Sequence, residues 1–436
     1  MKNCTTLTRL RQQAYKSFVR AGDALMNLCD ALLCETQAHS LVELSLAPNF
    51  ERKWSSLYQA LEDGRIDVAR LRHATIQALL HEYWPSEMVY LSVDSSSLAR
   101  PEAATSADRG MIYVSNLPHA SKPVTVGWQF STIMLLPRQP SSWVGILDQQ
   151  RIKTDQTAVE VACEQLRAVV PLLARPVLIL ADRWYATPEF LQCCRELGCR
   201  VIVRLKRNRK LYRPAVRIHK RGAPPKDGPL FQGTRPETLE EADESWQGEY
   251  KGKPVRLSRW NHLHFLQART VCVSVVRVQR EQAANTKRDP RESWFVLLDD
   301  RIALSQVVNL YALRFCHEHG YRFMKQELLW DKAHVRTPEQ YERWSVVVGL
   351  AHNHLVLARE LGQAAFRPWE RPTARPLTPR QVRRGMSTIL SQVGTPARRC
   401  QPRGKSPGRA PGFRPVSAPR YQVVRKHSKQ EASASG

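Results

Sequence analysis

Two short apolar runs end in aspartate, and they constrain this chain more than any other feature. Met88-Val-Tyr-Leu-Ser-Val-Asp94 leads into Ser95-Ser-Ser97, and Pro176-Val-Leu-Ile-Leu-Ala-Asp182 leads into Arg183-Trp184-Tyr185. Each run has the length and composition of a buried strand, and each leaves a carboxylate where the chain emerges from the apolar interior. Between them, Gly110–Ser115 and Lys122–Leu136 read as two more strands. Thr154–Val170 reads as a helix with Thr154 or Asp155 at its N-cap and apolar residues at 158, 159, 162, 166 and 169. After Asp182, Thr187-Pro188-Glu189 opens a helix that runs to Leu197 and stops at Gly198, and Cys199–Arg204 reads as the next strand. The fold class is α/β.

A third carboxylate lies much later. Tyr311, Arg314, Glu318 and Lys325 are spaced by three, four and seven, which places them within roughly a 60° arc of one helix. Apolar spacing over Ala303–Leu310, with Ser305 as N-cap, supports the helix. Gly320 is where it is expected to bend, since glycine costs about 1 kcal/mol against alanine. Mixed charge on a helix is commonly a solvated ion-pair face, and a strand-end aspartate is commonly a turn or cap residue. If the three carboxylates converge, however, they form an oxygen-rich set suited to two Mg²⁺ or Mn²⁺ ions about 4 Å apart, the arrangement used for phosphodiester chemistry.

Composition points the same way. With 66 Lys and Arg against 40 Asp and Glu, the 436-residue chain carries a formal charge of +26. That excess attracts polyanions, nucleic acid foremost; a ribosomal, membrane-surface or polyphosphate partner gives the same composition. No run of about 18 apolar residues is present, and Met-Lys-Asn-Cys-Thr-Thr lacks the apolar core of a signal peptide, so a cytoplasmic protein is expected. The ten cysteines include no Cys-x-x-Cys pair, and the His-x-His pairs at 262/264, 317/319 and 352/354 have no cysteines at zinc spacing. A structural zinc site is therefore not expected.

The remaining segments follow from periodicity. Residues 1–86 read as helices interleaved with Arg and Lys, either a DNA-end-binding domain or a bundle that packs on the rest. Residues 87–206 and 293–362 form two parts of one core, the second carrying the Glu318 helix and then a closing helix or pair. Residues 207–292 form a mainly β insertion, with a Pro/Gly-rich basic link, an acidic patch, and strand-like runs at Val255–Trp260 and Thr270–Val278. Residues 363–436 form a basic, Pro- and Arg-rich tail; from 366 onward it holds 16 Lys and Arg against 2 acidic residues. Such a tail is expected to be disordered, serving either non-specific nucleic-acid contact or solubility.

The spacing Tyr-x2-Arg-x3-Glu-x6-Lys resembles the signature of bacterial insertion-sequence transposases. Together with Val93-Asp94-Ser95, Ala181-Asp182-Arg183-Trp184-Tyr185 and the order of elements, the chain from about residue 88 to about residue 360 is similar to the ribonuclease H-like DDE transposases of the insertion sequence four superfamily, closest to the insertion sequence 701 type. The resemblance implies a ribonuclease H-like core interrupted by the β insertion, with Asp94, Asp182 and Glu318 as catalytic ligands of two Mg²⁺ (or Mn²⁺) ions. It further implies that Tyr311, Arg314 and Lys325 hold phosphates of the DNA. Arg183 is either another phosphate contact or a surface ion-pair residue, and Trp294 is either a platform for a flipped base or a core tryptophan. The implied reaction is metal-dependent cleavage at transposon terminal inverted repeats and strand transfer of the 3′-hydroxyl into target double-stranded DNA. A homodimer would carry it out in the bacterial cytoplasm, at the nucleoid. The alternatives are a non-catalytic DNA-binding protein derived from a transposase and a ribonuclease H-like nuclease without strand transfer.

Overall fold

Apolar residues at helical spacing fold the N-terminal part into α1 (Lys2–Ser17), a short β1 (Phe18–Arg20), α2 (Gly22–Cys34), α3 (Leu41–Leu44), α4 (Trp54–Asp63), β2 (Arg65–Ile66) and α5 (Val68–Tyr83). The structure, a computed structural model, describes residues 2–83, 87–114, 123–216, 225–286, 290–299, 301–362, 369, 376–401 and 408–425. β1 and β2 pair only with each other. α2 is buried continuously from Ala24 to Leu33, its polar Asn27 and Asp30 included. Its Asp30 is held by both terminal nitrogens of Arg11 at 2.7 and 3.0 Å.

Twelve strands form the main sheet. Its first half comprises β3 (Val89–Ala99), β4 (Gly110–Tyr113), β5 (Val124–Leu135), β6 (Gly145–Ile152), β7 (Val177–Ala181) and β8 (Arg200–Leu205). α6 (Ala158–Leu173) lies between β6 and β7, and α7 (Pro188–Glu196) between β7 and β8. Four strands therefore precede α6 where sequence periodicity gives three; the added one, β6, pairs antiparallel with β5. The order β6-β5-β3-β7-β8 is antiparallel up to β3 and parallel from β3 through β8. α6 begins one turn later than the sequence suggests, with Thr157 and Glu160 forming a reciprocal capping box.

The segment after β8 extends this sheet. β9 (Leu211–Tyr212), β10 (Leu230–Phe231), β11 (Glu244–Tyr250), β12 (Lys253–Phe265) and β13 (Ala268–Gln279) lead to β14 (Glu292–Leu298), which pairs β13 on one side and β8 on the other. Then follow α8 (Leu304–Ala312), α9 (Phe315–Gln326) and α10 (Pro338–Leu357). The closing segment is thus one helix, opened by a Thr337–Gln340 capping box with Pro338 in its first turn. Sixteen of its twenty residues are buried, and it packs against α2, α4, α5 and β6. One apolar core runs from α1 through the sheet to α10.

The expectation of a disordered tail fails for part of it. α11 (Pro379–Arg384) and α12 (Met386–Val393) are helical, and Val382, Met386, Ile389 and Leu390 join the core. Thr378 and Gln381 supply a third capping box, so local capping and four apolar side chains outweigh a composition that reads as disordered. Further on, Val424 bridges to Gly110 on β4. Among the described residues no helix is long and apolar enough to cross a membrane.

Candidate active site

Parallel pairing of β3 and β7 sets Val93 opposite Ala181, so the next residue on each strand, Asp94 and Asp182, emerges at the same level of the sheet. Neighbouring strands lie about 4.8 Å apart. Asp94 continues on β3 opposite Thr132 of β5, and its Oδ1 accepts the Ser95 N–H at 2.8 Å. Asp182 follows β7 directly, and its carbonyl accepts the Tyr185 N–H at 2.9 Å, closing a single 3-10 turn over Arg183–Tyr185. Tyr185 is buried and packs on Phe190, which pins the turn that follows the second acid.

Glu318 arrives from α9. The expected single helix through 311–325 is in fact two: α8 stops at Ala312 and α9 starts at Phe315, so the bend is at Leu313–Arg314 and not at Gly320. Gly320 lies inside α9, where an added Cβ would stand 2.8 Å from both Met134 Sδ and Val144 Cγ2. Glycine is there for close approach of the helix to the sheet. From the bend, Arg314 reaches both acids: Nη1 donates to Asp94 Oδ2 at 3.1 Å and Nη2 to Glu318 Oε1 at 3.2 Å.

Three further contacts tie α9 to β3. Tyr321 Oη donates to the Asp94 carbonyl at 2.9 Å, Lys325 Nζ donates to the Ser97 carbonyl at 3.1 Å, and His317 Nδ1 lies 2.6 Å from Ser92 Oγ. The sequence marks His317 only as half of a His-x-His pair and does not mark Tyr321 at all. Their helical offset from Glu318, at minus one and plus three, was the available signal for a second face of the same helix.

Electrostatics follow from this crowding. Burial pushes the Asp94 carboxyl up to about 6, with Asp182 and Glu318 raising it further and Arg314 and the Ser95 N–H pulling it down. Burial opposes the Arg314 charge, but Tyr311, Asp94, Asp182 and Glu318 together raise its pKa. Burial also raises Tyr311, to about 12, with Asp182 adding to the effect. It lowers Lys325, and it holds His317 well below the ordinary histidine range, as a neutral imidazole.

Arg314 therefore bridges Asp94 and Glu318, with Asp182 and Tyr311 near enough to favour its charge. Tyr311 itself is 8 % exposed, its ring edge-on to Phe295. Lys325 turns inward to a backbone carbonyl. Arg183 is exposed beside Asp182, its guanidinium 5.9 Å from the Trp184 ring. Trp294 is not at a surface: it is 4 % exposed, stacked on Trp260 at 5.9 Å with Arg277 5.6 Å from its ring. The expectation of a base platform at Trp294 is not met in this conformation, because the apolar run Trp294–Leu298 is a central strand whose side chains fill the core. Among the described residues, no group of three or more His, Cys, Asp and Glu side chains is close enough to hold a metal ion as it stands. The donor chemistry nonetheless fits Mg²⁺ or Mn²⁺: all three groups are carboxylates, and a guanidinium already bridges two of them.

Residues 13–262, more than half of the chain, match the family described as DDE superfamily endonuclease. The chain belongs to that family. The matched span includes Asp94 and Asp182 and closes before Glu318, which comes to the site through α9. Membership makes the protein an endonuclease-type enzyme acting on phosphodiester bonds. No curated protein matches the chain.

Proposed function

We propose that this DDE-family chain is a DNA transposase of the insertion sequence four type. On this reading it cleaves double-stranded DNA at transposon terminal repeats and joins the freed 3′-hydroxyl to target DNA. The observation that carries the reading is that Arg314 bridges Asp94 and Glu318 where β7 ends beside β3, with Asp182 set next to Asp94 by the parallel pairing. The strand order β6-β5-β3-β7-β8, antiparallel then parallel, supports a ribonuclease H-like core, and the net charge of +26 supports a DNA partner.

Asp94, Asp182 and Glu318 would hold two Mg²⁺ or Mn²⁺ ions. When bound, the ions supply an activated attacking oxygen and a stabilised leaving oxygen. The protein's own groups do the rest. Asp94 and Asp182 are fixed by strand register, and Glu318 by the three links between α9 and β3. Arg314 presents a planar fork that matches a phosphate as well as a carboxylate, so a phosphate entering the site competes with Asp94 and Glu318 for it. Tyr311 packs behind that fork and orients it. Cleavage at two ends and their joining to one target require two active sites, so the working form would be a homodimer, located with its DNA substrate in the cytoplasm.

The test is Mg²⁺-dependent cleavage and joining of DNA that carries the ends of the flanking element, comparing the wild type with Glu318→Gln. The expected result is cleavage and joining by the wild type, and DNA binding without either by the variant. Cleavage without joining would point to a nuclease. Binding without cleavage by the wild type would point to a non-catalytic DNA-binding protein. Equal cleavage by both would remove Glu318 from the site.

A further inference from the structure

The turn after Asp182 carries an exposed tryptophan. Trp184 is 64 % exposed, whereas its neighbour Tyr185 is 2 % exposed, so the turn buries one ring and offers the other to solvent. Lys206, the first residue after β8, places its Nζ 4.0 Å from the Trp184 ring centre, and Arg183 places its guanidinium carbon 5.9 Å from it. β7 and β8 are parallel neighbours, so this indole and its two cations stand at the same end of the sheet as Asp94 and Asp182. Phe315, 52 % exposed, adjoins Arg314.

An aromatic face beside cations is the arrangement that holds unpaired nucleotides: the ring stacks a base of any identity and the cations take the phosphates. A duplex offers its bases only at their edges, so a stacking ring acts on a base that has left the helix. We propose that Trp184, with Lys206 and Arg183, is a stacking platform for one unpaired base of the DNA beside the carboxylates. The inference rests on the reading of those carboxylates as a DNA-cleaving site. In the free protein the Lys206 ammonium rests against the indole; with DNA present, the phosphate of the stacked nucleotide gives it a stronger partner. Trp294, enclosed by Trp260 and Arg277, is not available for this task, whereas Trp184 needs no rearrangement of the core.

The experiment measures equilibrium binding by fluorescence anisotropy, in EDTA so that no cleavage occurs. The probes are a labelled blunt duplex and the same duplex with a three-nucleotide unpaired 3′ end. The wild type is expected to bind the unpaired end more tightly than the blunt duplex. Trp184→Ala is expected to lose that preference, about tenfold in affinity for the unpaired end, with blunt-duplex binding unchanged, and Trp184→Phe to keep most of it. Because the side chain is exposed, the melting temperatures of both variants should match the wild type. A wild type with no preference, or a Trp184→Ala variant that retains it, overturns the platform. Equal loss on both probes also overturns it, because it indicates a general contact. A preference that survives Trp184→Ala counts against the platform alone and leaves the reading of the carboxylates standing. Failure of the wild type to bind either DNA overturns the underlying reading as well.

Discussion

Arg314 Nη1 stands 3.1 Å from Asp94 Oδ2, so a carboxylate whose charge burial disfavours is held by a guanidinium. The same arginine reaches Glu318 at 3.2 Å, bridging a strand acid and a helix acid as a divalent cation would. A guanidinium and a divalent metal compete for those carboxylates, because their positive charges repel when both sit on the same two acids. Metal on Asp94 and Glu318 would therefore weaken their hold on Arg314.

Replacing Arg314 with Gln should separate stability from metal response. The Arg314 side chain is 11 % exposed, and removing one member of a largely buried ion pair costs on the order of 3 kcal/mol, so the metal-free variant should melt at a lower temperature. Added Mn²⁺ should raise its melting temperature by more than it raises that of the wild type, since the competing cation is gone. A smaller Mn²⁺-induced rise in the variant would show that Arg314 helps to assemble the metal site.

Asp94 should make stability fall with rising pH. Its pKa is raised from 3.8 in the unfolded chain to about 6 in the folded one, so between those values the folded state binds more protons than the unfolded state. Folding stability is then lost as pH rises through that window and stays lost above it. Relative to Asp94→Asn, the wild type should lose on the order of 1 to 3 kcal/mol between about pH 4 and about pH 7 in chelator. Urea titrations of both proteins at the two pH values measure it, and a constant difference would mean that Asp94 titrates normally.

Much of the site was legible because strands that are buried on both faces read as continuous apolar runs, and Asp94 and Asp182 stand where those runs stop. The pairing that aligns them is a tertiary fact without a local signal. β6 was not legible: within Gly145–Ile152 the stretch Asp148-Gln-Gln-Arg151 is polar, and Asp148 is buried only because Arg72 and Gln165 bond it. The bend at Leu313–Arg314 contains neither Pro nor Gly, so nothing in the sequence marks it. Trp294 lies in an apolar run whose period cannot distinguish a core ring from an exposed one. In the tail, the Thr378-Pro379-x-Gln381 capping signal was present but was outweighed by the Arg- and Pro-rich composition around it.

Gly320→Ala should destabilise the protein despite improving helix propensity. Alanine gains about 1 kcal/mol within a helix, but its Cβ would meet Val144 Cγ2 and Met134 Sδ, each at 2.8 Å, with Met134 Cε at 3.1 Å. Met134 can swing aside, whereas the branched Val144 cannot, and overpacking costs about 1 to 3 kcal/mol. A net loss of about 1 kcal/mol is expected, together with reduced cleavage because Glu318 is two residues away. Val144→Ala in the same chain should restore part of both. A more stable Gly320→Ala protein would show that α9 can lift from the sheet at no cost.

Arg383 should prove structural although it lies in the basic tail. It is 3 % exposed, and its Nε donates to the Leu32 carbonyl at 3.0 Å. Nη2 donates to the Glu35 carbonyl, and Nη1 lies 3.5 Å from Glu327 Oε2. The guanidinium thereby satisfies carbonyls at the C-terminal end of α2, where positive charge is favoured, and links them to the residue that ends α9. Arg383→Ala would leave those carbonyls and Glu327 without this partner and should cost about 3 kcal/mol. Glu327→Gln should cost less, because Arg383 keeps both carbonyls. Chemical denaturation measures the two, and an Arg383→Ala variant within about 0.5 kcal/mol of wild type would mean that α11 contributes nothing to holding α2 against α9.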